Sequence, residues 1–146
     1  MQLDDLYREV IMDHYQHPRN QGVLAESVSV DLRNPSCGDE ITLQLKLEDG
    51  VVTDVRFKGS GCSISMASAS MMTEAVKGLP VSEALELSKT FRSMMKGEAV
   101  DTEALGDIEA LQGVSRFPAR IKCATLGWQA FEKVTRNEAG ENTEKL

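Results

Sequence analysis

Apolar positions change their spacing several times along the chain, and each change marks an expected element. Leu3, Leu6, Tyr7, Val10, Ile11 and His14 recur three and four apart, which predicts an amphipathic helix over Leu3 to Tyr15. His17-Pro18-Arg19-Asn20-Gln21-Gly22 ends it, because proline bars further helix and Asn-Gln-Gly suits a turn. A short strand is expected over Val28 to Leu32. From Ile41 to Glu48 the spacing becomes two. Ile41, Leu43, Leu45 and Leu47 fall on one face, and Thr42, Gln44, Lys46 and Glu48 on the other. Asp49-Gly50 signals a hairpin turn, and Val51 to Lys58 returns as a strand with Val51, Val55 and Phe57 facing one way. A hairpin sets the start of its first strand beside the end of its second. The loop carrying Cys37 and Asp39 is therefore expected near the loop carrying Cys62.

Helical spacing resumes at Ser63 and runs to Lys77, with Ile64, Ala67, Met71, Met72 and Ala75 as the apolar stripe and Gly78 and Pro80 as the stop. Val81 to Lys96 predicts another helix on Ala84, Leu85, Ser88, Phe91 and Met95, ended by Gly97. Residues Glu98 to Gly113 are acidic and mixed, with room for a short helix over Leu105 to Leu111. A last helix is expected from Pro118 or Ala119 to Arg136, burying Ile121, Ala124, Trp128 and Phe131, with Cys123 in its first turns. The pattern predicts an α+β fold: a small antiparallel sheet of about three strands packed against helices.

Composition narrows the function classes. At 146 residues and 41% apolar content the chain can bury a real core. One domain is expected over 1–136, with 137–146 as a polar, disordered tail. A net charge of −7 and a pI near 4.9 argue against wholesale nucleic-acid binding. No window approaches the roughly 18 apolar residues of a membrane helix. The start, Met1-Gln2-Leu3-Asp4-Asp5, lacks the basic region of a signal peptide. An odd number of cysteines fits a reducing compartment, so a cytoplasmic location is expected.

The cysteines carry the chemistry. All three sit in turn-like or helix-start contexts: Asn34-Pro35-Ser36-Cys37-Gly38-Asp39, Gly59-Ser60-Gly61-Cys62-Ser63 and Arg120-Ile121-Lys122-Cys123. Three thiols and the Asp39 carboxylate make a four-ligand set for zinc, or for iron in a cluster. Cys62 stands just before a helix, where unpaired N–H groups favour its thiolate. Gly59, Gly61 and Gly38 let the backbone turn sharply and approach an ion. Three thiolates and a carboxylate leave a negative excess over a divalent ion, and Lys122 and Arg120 are the candidate compensating cations.

Plainer readings compete. A single buried cysteine is ordinarily a small apolar residue. A structural zinc is the stronger rival, but its usual paired C-x₂₋₄-C knuckle is missing. His14 fits a core-edge histidine, and His17 a ring that satisfies local backbone carbonyls. Met71-Met72 and Met94-Met95 fit core filler. Ser63, Ser65, Ser68 and Ser70 fit close helix packing, and the acids of 98–109 a solvated face.

The motifs named above, with Asp13-His14-Tyr15, Pro18-Arg19-Asn20 and Arg116-Phe117-Pro118-Ala119-Arg120-Ile121-Lys122-Cys123-Ala124, resemble the iron–sulfur cluster assembly scaffold superfamily, the IscU and NifU N-terminal-domain proteins. The likeness runs from Leu6-Tyr7 through Trp128. Two departures point to its SufU branch: Lys122 stands where IscU-type scaffolds carry histidine, and the segment between Cys62 and Cys123 is longer, with the insertion around 95–115. The resemblance implies a SufU-like fold and a zinc-dependent sulfurtransferase in which Cys37, Asp39, Cys62 and Cys123 bind Zn²⁺. It implies that Cys37 leaves the metal to accept persulfide sulfur from a SufS-type cysteine desulfurase, a pyridoxal-phosphate enzyme, and that Arg120 assists the exchange. Downstream cluster-assembly proteins are the implied recipients, with neither nucleic acid nor membrane as a partner. The alternative within the superfamily is a scaffold that assembles a [2Fe–2S] cluster on the same residues.

Overall fold

The computed structural model describes residues 3–34 and 38–138. The order is α1 (Leu3–Gln16), β1 (Val28–Asn34), β2 (Asp39–Glu48), β3 (Val51–Ser60), α2 (Ser63–Val76), α3 (Val81–Met95), two 3₁₀ segments (Thr102–Ala104 and Gly106–Arg116) and α4 (Pro118–Glu138). The strands form one antiparallel sheet in the order β1-β2-β3. The α+β architecture expected from the pattern is the one observed. The expected tail from 139 onward lies outside the described residues.

The alternation in β2 does what its period requires. Ile41, Leu43 and Leu45 are buried, and Leu47 packs against the core's margin. The Asp49-Gly50 turn closes the hairpin with both residues at positive φ, 52° and 76°. β3 departs from the expected phase: Val52, not Val51, is buried with Val55 and Phe57. The pairing explains it, for Lys46 opposes Asp54 while Leu47 opposes Val52, so Thr53 is an extra residue on β3. Such a bulge shifts the inward face by one position.

α2 and α4 lie on the apolar face of the sheet, α1 packs on α2, and α3 packs on α4. α2 is buried nearly all round, from Ser65 through Thr73. Its buried serines make this possible, because the hydroxyls of Ser65, Ser68 and Ser70 each find a partner within the protein. Ser68 Oγ donates to the Ala124 carbonyl at 2.6 Å, and Ser70 Oγ accepts the Arg19 N–H at 2.9 Å. Gly127 of α4 faces Ala69, and a β-carbon there would sit 3.3 Å from the Ala69 Cα. In α3 the inward residues are Ala84, Leu87, Ser88, Phe91, Met94 and Met95, with Leu87 taking the place expected of Leu85. Phe91 stacks on Trp128 with ring centroids 4.8 Å apart. The free edge of β3 is covered at both ends. The Phe57 N–H donates to Asn20 O, the Gly22 N–H to Phe57 O, and the Val52 N–H to Leu79 O. Backbone at that edge is thereby satisfied rather than left open to strand pairing.

The acidic segment is more than a solvated face. Leu105, Ile108, Ala110, Leu111 and Val114 are buried, and Asp107 reaches His14. His14 is fully enclosed, with Nδ1 2.8 Å from Ser70 Oγ and Nε2 3.0 Å from Asp107 Oδ2. His17 differs from expectation: its ring is exposed and faces the Asp13 carboxylate at 3.3 Å rather than backbone carbonyls.

Candidate metal centre

The hairpin and two helices bring three of the four expected ligands together. Asp39, Cys62 and Cys123 each offer a ligand atom within 4.8 Å of the others. Cys37 lies outside the described residues. Asp39 opens β2 opposite Asn34, and the strand pairing sets Glu40 against Ser60, so the mouth of the hairpin adjoins the chain leading to Cys62. Gly38 precedes Asp39 at φ +72°, a left-handed value that glycine reaches without steric penalty, and its N–H donates to Asn34 O at 2.9 Å.

Asp39 is 1% exposed. Its Oδ1 accepts the Cys62 backbone N–H at 3.0 Å, and its Oδ2 lies 4.0 Å from Cys62 Sγ. One oxygen thus anchors the start of α2 while the other faces the sulfur. Cys62 is the N-cap of α2, in extended conformation at φ −72° and ψ 169°. Its carbonyl accepts from Met66 N and Ser65 Oγ, both at 3.1 Å, and Ser65 Oγ is 3.8 Å from the sulfur. Burial pushes the Cys62 thiol up, but the Ser65 N–H and hydroxyl and the Cys123 thiol pull it down further. The Asp39 charge opposes them, and the net position is below the ordinary 9.0.

Cys123 lies in the second turn of α4 and is buried, with Sγ 3.9 Å from Ala119 O. Arg120, one turn earlier, is exposed. Its guanidinium is held more firmly protonated by a hydrogen bond to the Cys123 sulfur and by the charges of Cys62 and Cys123. Lys122 is also exposed. Gly61 closes the site from behind: a β-carbon there would lie 2.5 Å from Asp39 Oδ1 and 2.6 Å from Ser65 Oγ. Spacing alone did not single out Ser65 as a site residue. The signal was its position three residues beyond a helix-capping cysteine, which is the reach of a side chain folding back on the cap.

The donor set fits zinc. With zinc–sulfur bonds near 2.3 Å, tetrahedral ligand atoms sit about 3.8 Å apart. The 4.0 Å between Cys62 Sγ and Asp39 Oδ2 is within a small side-chain adjustment of that. His14, Glu74 and Asp107 form a second group of ligand-type side chains. Both ring nitrogens of His14 are already engaged, and Arg19 lies 3.9 Å from Glu74, so a cation gains little there.

A one-sided three-stranded sheet, with a carboxylate at its hairpin mouth and thiols on two helices, defines a small metal-binding α+β domain. The chain belongs to the NifU-like N-terminal domain family, whose model matches residues 6–124. It is 61% identical to a Bacillus subtilis protein named zinc-dependent sulfurtransferase SufU, over 96% of both chains. It is 43% identical to the iron–sulfur cluster assembly scaffold protein IscU of Streptococcus pyogenes, over 94% of this chain and 87% of that one. Among solved structures, a NifU-like N-terminal protein from Brucella abortus superposes with a TM-score of 0.86 at 25% identity, covering 96% of this chain and 99% of that one. No helix among the described residues is long and apolar enough to cross a membrane.

Proposed function

We propose that this chain is a zinc-dependent sulfurtransferase: a single-domain cytoplasmic carrier that takes persulfide sulfur from a SufS-type cysteine desulfurase for iron–sulfur cluster assembly. The observation that carries the reading is the convergence of Asp39, Cys62 and Cys123 beside the Arg120 guanidinium. The likeness to a protein named for this activity supports it.

Cys37 is the proposed fourth ligand and the sulfur acceptor. It stands two residues from Asp39, so chain geometry keeps their Cα atoms within about 7 Å. Bound zinc would keep the thiols deprotonated and guard them against stray oxidation. Cys37 Sγ attacks the outer sulfur of a persulfide on the desulfurase. A new S–S bond forms on Cys37, the partner's S–S bond breaks, and the partner's cysteine leaves as a thiolate. Arg120 offsets the negative charge gathered at the sulfurs, while Asp39, Cys62 and Cys123 hold the rest of the site in place.

The test is desulfurase turnover with zinc-loaded protein. Cys37→Ser should abolish stimulation with the fold intact, and Arg120→Ala should slow transfer while zinc content is retained. Undiminished stimulation by Cys37→Ser rejects the reading. A brown, iron- and sulfide-loaded protein from anaerobic purification would favour the scaffold alternative instead.

A further inference from the structure

A groove of about 730 Å³ adjoins the metal centre, walled by α1, the start of α2, the second 3₁₀ segment and the start of α4. Ser63 and Ile64, the two residues after Cys62, line it, and so does Arg120, whose guanidinium hydrogen-bonds the Cys123 sulfur. Its apolar lining is open to solvent. Phe117 is 60% exposed, and Ile11, Met12 and Ile64 are only partly buried. The backbone beneath the Phe117 ring is fixed, because its N–H donates to Val114 O and its carbonyl accepts the N–H groups of Arg120 and Ile121. An exposed ring on an already fixed backbone loses little freedom when something covers it.

The charge around this lining has one sign. Arg8, Arg116 and Arg120 line the groove, all three exposed, and no carboxylate among the described residues does. In other parts of the molecule Arg19 pairs with Asp13, Arg33 with Glu40, Arg56 with Asp54 and Arg92 with Glu132. Among the described residues Arg8 and Arg116 form no such pair. Three guanidiniums therefore gather at one groove of a chain whose net charge is −7. Physiological salt screens charges beyond about 8 Å, so a short ligand in the groove is governed by the arginines. A long polyanion would also meet the acidic remainder of the surface, which disfavours nucleic acid. Aromatic residues, methionine and arginine are the types enriched where proteins meet, and an apolar patch edged by charge is the anatomy of such a contact.

We propose that this groove docks an acidic amphipathic segment of a second protein, its aliphatic side chains against Phe117, Ile11 and Ile64 and its carboxylates on Arg8 and Arg116. The net charge of the chain taken alone would favour a basic partner, and the groove selects the opposite. Arg120 joins the groove to the sulfurs, so a segment seated there is held beside the metal centre rather than over a remote face. The docking itself needs no sulfur chemistry. That the segment belongs to a protein exchanging sulfur with the centre rests on the sulfur-transfer reading.

The test uses the full zinc-loaded chain and a labelled peptide of leucine and glutamate with leucines at i, i+3, i+4 and i+7, the spacing of a helix that fills an apolar groove. Fluorescence anisotropy should show saturable binding, and amide NMR shifts should cluster at residues 7–12, 63–64 and 113–120. The double variant Arg8→Glu/Arg116→Glu should weaken binding at least about tenfold, as attractive pairs become repulsive, with zinc content and circular dichroism unchanged. Phe117→Ser should also weaken it about tenfold or more with no change of charge, because the ring no longer leaves water on binding. The proposal is overturned if no saturable binding is seen, if either variant binds as wild type does, or if the shifts fall elsewhere. Equal affinity for a peptide with serine in place of leucine, or for a single-stranded RNA of the same charge, overturns it too. Binding is read with no persulfide present, so its outcome is separate from desulfurase turnover with Cys37→Ser, which judges the sulfur-transfer reading.

Discussion

His14 of the first helix is joined to Asp107 of the second 3₁₀ segment by a 3.0 Å contact between Nε2 and Oδ2, across 93 positions of sequence. The imidazole is enclosed, and its other nitrogen is taken by Ser70 of α2, so one ring links three elements. The acidic stretch between Cys62 and Cys123 is thereby tied to the body of the protein.

Asp107→Ala should therefore destabilise the chain by about 1–3 kcal/mol, because the buried ring loses its partner. Asp107→Asn keeps an acceptor and should lose less. Urea unfolding of the three proteins decides it, and equal midpoints would dismiss the link as incidental.

Gly61→Ala addresses the back wall of the metal centre. The added methyl must displace both Asp39 Oδ1 and Ser65 Oγ. Zinc affinity should fall about 10–100-fold, the usual effect of disturbing groups that orient ligands. Competition with a chromophoric chelator measures it, and wild-type affinity would mean that the wall yields freely.

Zinc should act as a stabilising ligand of the folded state. At free zinc a hundredfold above Kd, the unfolding free energy should rise by about 2.7 kcal/mol over the stripped protein. Asp39→Ala should shrink that gain by weakening affinity. It also removes the acceptor of the Cys62 N–H, so its stripped form should melt below stripped wild type. Denaturation with and without chelator gives both quantities.

Glu132 sets an acid limit. Burial pushes its carboxyl up, but hydrogen bonds from Arg92, at 2.6 and 2.8 Å, and from Ser88 hold it below the ordinary 4.5. Its contribution is complete above about pH 4.5 and is lost as pH falls through the lower folded-state value. Glu132→Gln should cost about 1–3 kcal/mol at neutral pH. The gap to wild type should narrow on acidification, and a constant gap across the acid range would show that the charge is unimportant.

The legible parts of this fold are those governed by local periodicity. Strict alternation from Ile41 to Leu47, with Asp49-Gly50 behind it, suffices to place Asp39 beside Cys62, because a hairpin's geometry follows from its turn. Where a single extra residue enters, the rule loses its footing. Thr53 moves the buried position from Val51 to Val52, and no count of alternating residues reveals a bulge set by cross-strand pairing. The Asp107–His14 link was hidden for a different reason: an exposed-looking acid and a core histidine far along the chain carry no shared local pattern. The metal set was visible as chemistry, since so few thiols each stand beside a turn or helix start. The part played by Ser65 and Gly61 depends on contacts a few ångströms across, which spacing does not encode.

The crossing of α2 and α4 has a mechanical consequence for the centre. Where Gly127 meets Ala69 and Ser68 grips the Ala124 carbonyl, main chain rests almost directly on main chain. The span between the Cys62 and Cys123 sulfurs is then dictated by two rigid rods in near contact, with no long side chain to flex. Those two thiols form a stationary anvil, presented to a bound ion at a separation that the helix crossing sets.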